Sequence, residues 1–293
     1  MIIRGVYAAG LSVLNSDLSL NIDATINHAE GLIKNGLHGV FFFGSTGQSQ
    51  LCGIQDKKKL ISQISSHKLK KHFFLGTGNN ALQDNIDLID HGFRNGYYTY
   101  LLMPPAYFPK TDEGVFNFYE QIILKFPKIH VGIYNFEKLS GYKFSVEAIT
   151  KLVKSFPKNI KFVKDSSYNL YGKLKIKDLL VLPGSEAKLL DGLNKGADGC
   201  ISACTNYTHF LARQVFDDFQ NKKNQTVNEK LVKVRQTFDN YQLISALHTV
   251  MSDVDENYKN LLPPLTLLSV EKRKELLSKL RDLNFLPKKN IAA

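Results

Sequence analysis

Lys164 closes the short apolar run of "NIKFVKDSS", residues 159–167. With the period of two that a strand imposes, its side chain shares a face with Phe162 and Ile160, the face expected to be buried. A lysine ordinarily keeps its ammonium in water, and a snorkelling surface residue is the ordinary reading. Held instead in an apolar mouth, an ammonium loses hydration and the neutral amine becomes available. Such an amine forms a Schiff base with a ketone. The iminium is an electron sink, because a carbon–carbon bond β to it can break and leave an enamine. Cleavage also needs a group to take the proton of the departing hydroxyl. Tyr134, at the end of "IHVGIYN", supplies a phenol for that task if its strand lies beside that of Lys164. By itself it is one of 13 tyrosines and reads as a rim or core aromatic. In "GSTG", Ser45 and Thr46 bring two hydroxyls, and the turn ending at Gly47 brings backbone N–H groups. The turn is either an anion-binding concavity for a carboxylate beside the ketone or an ordinary βα turn with a Ser/Thr helix cap.

These residues are useful only if their elements converge. Short β-branched and aromatic runs recur along the chain, separated by segments with helical apolar spacing, as in repeated βα units. Eight strand candidates lie in "GVYAAG", "HGVFFFG", "HFFLGTG", "YYTYLLM", "IHVGIYN", "IKFVKD", "LLVLPGS" and "GCISA". Between the first two, Ile26, Ala29, Ile33 and Leu37 are expected to share one helical face. The pattern predicts an α/β fold, a (β/α)8 TIM barrel over residues 1–222, followed by a helical C-terminal extension over 223–293 that begins at the polar "NKKNQTVNEK". Polar residues at strand C-termini would then meet on one rim. "GTGNNA", residues 76–81, matches a loose dinucleotide fingerprint but lacks an acidic residue at the end of the next strand, so it reads as a tight βα turn with no nicotinamide cofactor.

The 293 residues are 43% hydrophobic, enough for a sizeable core. The N-terminal "MIIRGVYAAGLSVLNSD" is too short an apolar run for a membrane span and lacks signal-peptide organisation, so a cytoplasmic location and no membrane partner are expected. Cys52, Cys200 and Cys204 form no Cys-x-x-Cys, and the 8 histidines form no His-Glu-x-x-His, so no metal site is expected. The net charge of +11 is dispersed in small groups such as "DKKKL", "HKLKKH" and "KLKIKD", which read as solvated helix ends and loops. Nucleic-acid binding is therefore not expected.

The ordered set "GSTG", "PPAYFP", "YN" and "VKDSS", with "GADG" at 196–199 and "PPL" at 263–265, resembles the N-acetylneuraminate lyase and dihydrodipicolinate synthase superfamily nearly end to end. The resemblance implies a class I, pyruvate-dependent aldolase or lyase without metal or organic cofactor, its electron sink a covalent Schiff base on Lys164, in a homotetramer built as a dimer of dimers. It implies Tyr134 as the proton-transferring tyrosine, and Ser45 and Thr46 as the pair holding the pyruvyl carboxylate. Tyr107 matches a tyrosine that crosses the tight dimer interface to join a hydroxyl relay with Thr46 and Tyr134. Ile201 matches a position whose backbone carbonyl faces bound pyruvate, and Glu186 falls where sugar-acid lyases contact substrate hydroxyls.

Departures bear on the substrate. Leu139 stands where dihydrodipicolinate synthases carry an arginine for the second substrate's carboxylate. Gln48 replaces a common glutamate, Glu137 a proline, and Tyr168 a frequent glycine, while "LSVL" at 11–14 lacks the usual Thr-Pro. The expected reaction is reversible cleavage of a 2-keto acid, a 2-keto-3-deoxy sugar acid or a sialate-like acid, to pyruvate and an aldehyde. The alternatives are a dihydrodipicolinate synthase and a non-catalytic keto-acid-binding barrel.

Overall fold

The computed structural model describes residues 2–286. Its elements run β1 (Gly5–Ala9), α1 (Ile22–Lys34), β2 (Gly39–Phe42), α2 (Ile54–Ile64), β3 (Phe73–Gly76), α3 (Leu82–Arg94), β4 (Thr99–Leu102), α4 (Asp112–Lys125), β5 (His130–Asn135), α5 (Glu137–Ser140), α6 (Val146–Ser155), β6 (Ile160–Asp165), β7 (Leu180–Pro183), α7 (Leu189–Asn194), β8 (Gly199–Ser202) and α8 (Thr205–Gln220). Three further helices follow: α9 (Asn228–Asp239), α10 (Leu243–Ser252) and α11 (Val270–Asp282). All eight strands fall where the apolar runs place them. They pair in parallel in the order β7-β6-β5-β4-β3-β2-β1-β8. Asp198 bridges the remaining seam between β7 and β8, donating its N–H to the Val181 carbonyl at 2.9 Å and accepting the Val181 N–H at 2.8 Å. The result is a TIM barrel.

Two apolar cores follow from the alternation of side chains along each strand. The larger lies between the strands and the surrounding helices and extends without a break to Leu231, Phe238, Leu247 and Leu276 of the last three helices. The smaller fills the barrel interior with Tyr7, Phe41, Phe74, Phe162, Leu182 and Ile201, beside Tyr134. Ile160 does not share this interior with Phe162, contrary to the simple period of two. The β5–β6 register shifts between Val131 and Gly132, so that Val131 faces Ile160 but Gly132 faces Phe162. The extra β6 residue turns Ile160 into the outer core. Gly132 is required here, because a Cβ would meet the Phe162 ring at 2.1 Å. Leu37 also departs from expectation. Helix α1 stops at Lys34, with Gly36 at φ +106°, and Leu37 is buried as part of the approach to β2.

Among the described residues the segment after residue 222 contains no strand, and residues 287–293 of the expected extension lie outside the described residues. Its helices are tied to the barrel by buried polar groups. Tyr258 Oη lies 2.7 Å from His28 Nδ1, His28 Nε2 lies 2.8 Å from Asn206 Oδ1, and Asn206 donates to the Ala9 carbonyl at the end of β1. His248 Nδ1 sits 3.0 Å from the Tyr258 carbonyl.

Burial pushes His209 and His248 down to about 4. An unfolded imidazole titrates near 6.5, so between pH 4 and 6.5 the unfolded state binds more protons. Stability present above pH 6.5 is therefore lost as pH falls through that window, by about 1.4 kcal/mol per unit for each imidazole. Urea unfolding midpoints at pH 7.0 and 4.5 should differ accordingly, and His248→Gln should reduce the difference. An unchanged difference in that variant removes His248 from the effect.

Candidate active site

The register that turns Ile160 outward brings Tyr134 of β5 and Lys164 of β6 opposite one another, each with its side chain inside the barrel near the C-terminal ends of the strands. Lys164 is only 2% exposed and Tyr134 only 5%. The Lys164 Nζ lies 4.3 Å from the centroid of the Tyr134 ring, a cation–π approach. Among the described residues it has no hydrogen-bond or ion-pair partner. The Tyr134 hydroxyl lies 3.2 Å from Ser45 Oγ, so amine, phenol and serine hydroxyl form a line across the β2, β5 and β6 ends.

The residues one step further along the two strands hold this line in place. Asn135 faces Asp165 and donates to its Oδ1 at 2.9 Å. Asp165 Oδ2 accepts the N–H groups of Leu170 and Tyr171 at 2.8 and 3.0 Å, and Asn135 Oδ1 accepts that of Phe144 at 3.1 Å. The buried Asp165 carboxylate is thereby satisfied by three donors, and the strand ends carrying Tyr134 and Lys164 cannot move apart without breaking the Asn135–Asp165 bond. The "YN" and "KD" pairs thus divide the work by strand alternation: one residue points into the barrel and the next clamps the backbone.

Ser45, Thr46 and Gly47 form a single 3-10 turn after β2, with Thr46 buried. The Gly47 N–H is committed to the Gly44 carbonyl at 3.1 Å, and its carbonyl accepts from Ser12 Oγ at 2.7 Å. Gly47 therefore shapes the turn and does not offer the free donor expected of it. A Cβ at Gly47 would lie 2.9 Å from the Gly10 carbonyl oxygen.

Above Ser45 and Tyr134 opens a cavity of about 370 Å³. Phe43, Leu101, Met103, Leu139, Ile244 and Leu265 supply apolar wall, and Ser45, Gln48, Ser49, Gln50 and Gln242 supply uncharged polar side chains. Tyr134 is the one ionisable side chain among its lining residues, and Lys164 lies against the Tyr134 ring rather than in the lining itself. Leu139 lines the cavity.

Glu186 departs from its expected place. Glu186 is fully buried and turned away from the cavity: its carboxylate accepts from Ser202 Oγ, from Thr208 Oγ1 at 3.2 Å and from Arg235 Nη1 at 3.1 Å. It is an internal ion pair joining the barrel to α9, not a group contacting substrate hydroxyls. Tyr107 is 90% exposed at φ +81°, edge-on to Phe108, and makes no hydrogen bond to Thr46 or Tyr134 of its own chain among the described residues. Ile201 fills the barrel interior with its side chain, opposite Tyr7 in the β1–β8 register. Tyr168 takes φ +56°, the left-handed conformation that explains why glycine suits this position.

Lys57, read from "DKKKL" as part of a solvated cluster, is fully buried. It donates to the Thr77 carbonyl at 2.9 Å and to Asn79 Oδ1 at 2.6 Å, pinning the "GTGNNA" turn against the cavity wall at Gly78. Burial pushes it down to about 8. Its position one helical turn before Ile61, on the apolar face of α2, was the available signal. Gln48, Gln242 and Ile244 also line the cavity, the last two from beyond the barrel, and only chain folding brings them there. Among the described residues no cluster of His, Cys, Asp and Glu is arranged to hold a metal ion, and no helix is long and apolar enough to cross a membrane.

Comparison with known proteins adds to this geometry. The family model described as "Dihydrodipicolinate synthetase family" matches residues 2–283. An uncharacterized DapA-like lyase of Thermococcus onnurineus is 24% identical over 290 residues, 94% of this chain and 98% of that protein. A 4-hydroxy-tetrahydrodipicolinate synthase of Bartonella bacilliformis is 25% identical over 221 residues, covering 73% and 74%. Among solved structures, YagE from E. coli K12, a prophage protein of the dihydrodipicolinic acid synthase family in complex with pyruvate, superposes with a TM-score of 0.89 at 20% identity over 97% of this chain and 100% of that one.

Proposed function

Since the chain belongs to the dihydrodipicolinate synthetase family and is a carbon–carbon lyase, we propose that it is a Schiff-base aldolase that reversibly cleaves a 2-keto acid to pyruvate and an aldehyde, with Lys164 as nucleophile and Tyr134 as proton carrier. The observation that carries this reading is the sequestered Lys164 amine, without a partner among the described residues, 4.3 Å from the ring of a tyrosine whose hydroxyl meets Ser45.

The neutral Lys164 amine adds to the C2 carbonyl, and loss of water from the carbinolamine gives the iminium. Ser45 and Thr46 hold the adjacent carboxylate. Tyr134 takes the proton of the C4 hydroxyl as the C3–C4 bond breaks, the bonding electrons pass to the iminium nitrogen, and the aldehyde leaves from the enamine. Protonation at C3 and hydrolysis of the imine release pyruvate and restore the amine. The lysine supplies the electron sink, so neither metal nor organic cofactor enters. Among the described residues Lys57 is the other buried lysine, but its amine is committed to Thr77 and Asn79. The exposed Tyr107 fits a role in a neighbouring copy of a homotetramer, as part of the same reading.

Two narrower substrate readings lose support. A sugar acid or sialate loses the contact expected of Glu186, whose carboxylate is held by Arg235, Ser202 and Thr208. Dihydrodipicolinate synthase activity needs a cation for the carboxylate of aspartate semialdehyde, and the cavity wall provides none.

Pyruvate with borohydride should add a reduced adduct to the enzyme, located by peptide mass spectrometry on Lys164. Tyr134→Phe should still be trapped, yet turn over roughly 10²- to 10⁴-fold more slowly. Turnover equal to the parent enzyme would show that the phenol carries no proton.

A further inference from the structure

Resting on the Schiff-base reading above, we propose that the aldehyde released or taken up has an uncharged apolar body, alkyl or aryl, carrying one hydrogen-bond acceptor that is met by Gln48. The cavity beyond Tyr134 is the space available to everything past C4 of the substrate. Its wall of Phe43, Leu101, Met103, Leu139, Ile244 and Leu265 has no ionisable partner for a carboxylate or phosphate. A charge placed there loses its hydration without compensation. Gln242, in the same wall, already uses its Oε1 to cap the Ser245 N–H at 2.6 Å, so its acceptor is not available.

Ser45, Ser49 and Gln50 also line the cavity, and Gln48 differs from them in having a buried amide nitrogen without a partner among the described residues. Gln48 is 2% exposed, stands in the cavity wall, and its backbone is held in the left-handed conformation at φ +54°. Its Oε1 accepts the Leu262 N–H at 2.8 Å, which fixes which end of the amide is oxygen. The remaining Nε2 is buried and has no hydrogen-bond partner among the described residues. A buried amide donor left without an acceptor is costly, and a ligand oxygen reaching it removes that cost. A carboxylate at this position would present only acceptors, so the amide selects a different partner: an ether, carbonyl or phenolic oxygen on an otherwise apolar group. In the condensing direction the C3 carbon of the pyruvate enamine attacks the aldehyde carbon, the aldehyde oxygen takes its proton from Tyr134, and water hydrolyses the imine to release the product and restore the Lys164 amine, so the step needs no reactant besides water.

The test uses the intact enzyme with pyruvate and four aldehydes: hexanal, 4-methoxybenzaldehyde, glyceraldehyde and aspartate semialdehyde. The two apolar aldehydes should exceed the polar pair in kcat/KM by on the order of 10- to 200-fold. In Gln48→Glu, which keeps an acceptor for Leu262 but loses the donor, the preference for 4-methoxybenzaldehyde over hexanal should fall on the order of tenfold or more. Pyruvate trapping on Lys164 together with equal or better use of glyceraldehyde or aspartate semialdehyde overturns the proposal while leaving the Schiff base standing. Unchanged discrimination between the two apolar aldehydes in Gln48→Glu overturns the role of the amide. Failure of pyruvate to be trapped overturns the Schiff-base reading and this inference with it.

Discussion

Lys164→Met abolishes both turnover and borohydride-dependent labelling by pyruvate, while the protein remains folded. The thioether keeps most of the volume of the replaced side chain between Tyr134 and Phe162, so the barrel interior stays filled. Chemistry fails because none of the residues lining the cavity carries an amine that could replace it. Loss of a nucleophile of this kind lowers kcat by roughly 10⁵- to 10⁶-fold. Peptide mapping of the parent enzyme sharpens the expectation. The reduced pyruvyl adduct belongs on the peptide containing Lys164 and not on that containing Lys57, although both lysines are buried. Lys57 donates to two acceptors that hold a turn, whereas Lys164 faces a phenol ring and has no hydrogen-bond acceptor among the described residues. An adduct on Lys57, or undiminished turnover in Lys164→Met, ends the mechanism.

Arg235→Met destabilises the protein by about 3–5 kcal/mol, the usual cost of stranding one partner of a buried pair. Glu186 has no exposed surface, and the Arg235 side chain is 9% exposed. Arg235 Nη1 also donates to Ser202 Oγ at 3.2 Å, and its Nε donates to Asp239 at 2.8 Å. Removing the guanidinium leaves the Glu186 carboxylate with only hydroxyl donors in a dry interior. The pair joins the turn between β7 and α7 to α9, with Ser202 at the end of β8 as a third member, so the loss should appear in the global unfolding transition. Urea denaturation measures it. Glu186→Gln combined with Arg235→Met should recover most of the stability, because no charge is then stranded. A double variant as unstable as Arg235→Met alone would place the cost in lost packing of the arginine stem.

What could be read before folding was what the chain expresses locally. The eight strand runs, and the placement of Tyr134 and Lys164 at strand ends, follow from residue types and a period of two. Parallel strands with helical crossovers then leave few ways to arrange them. Where the period is interrupted, local reading errs: the bulge opposite Val131 sends Ile160 to the outer core, and Gly36 ends α1 before Leu37. Lys57 reads as solvated in a run with Lys58 and Lys59, although a helix buries one position in three or four and Lys57 takes that position.

By itself the amino-acid sequence determined the barrel, the C-terminal helices and the "YN" and "KD" pairs, because each depends on residues close together in the chain. Only the tertiary structure decided the surroundings of the site. Glu186 is claimed by Arg235, 49 positions later, and Gln48 bonds Leu262, 214 positions away. The cavity wall joins Leu101 and Leu139 of the barrel to Ile244 and Leu265 beyond it. Whether a carboxylate meets a substrate or a guanidinium depends on side-chain direction and on which distant segment arrives beside it, and neither is encoded in local spacing.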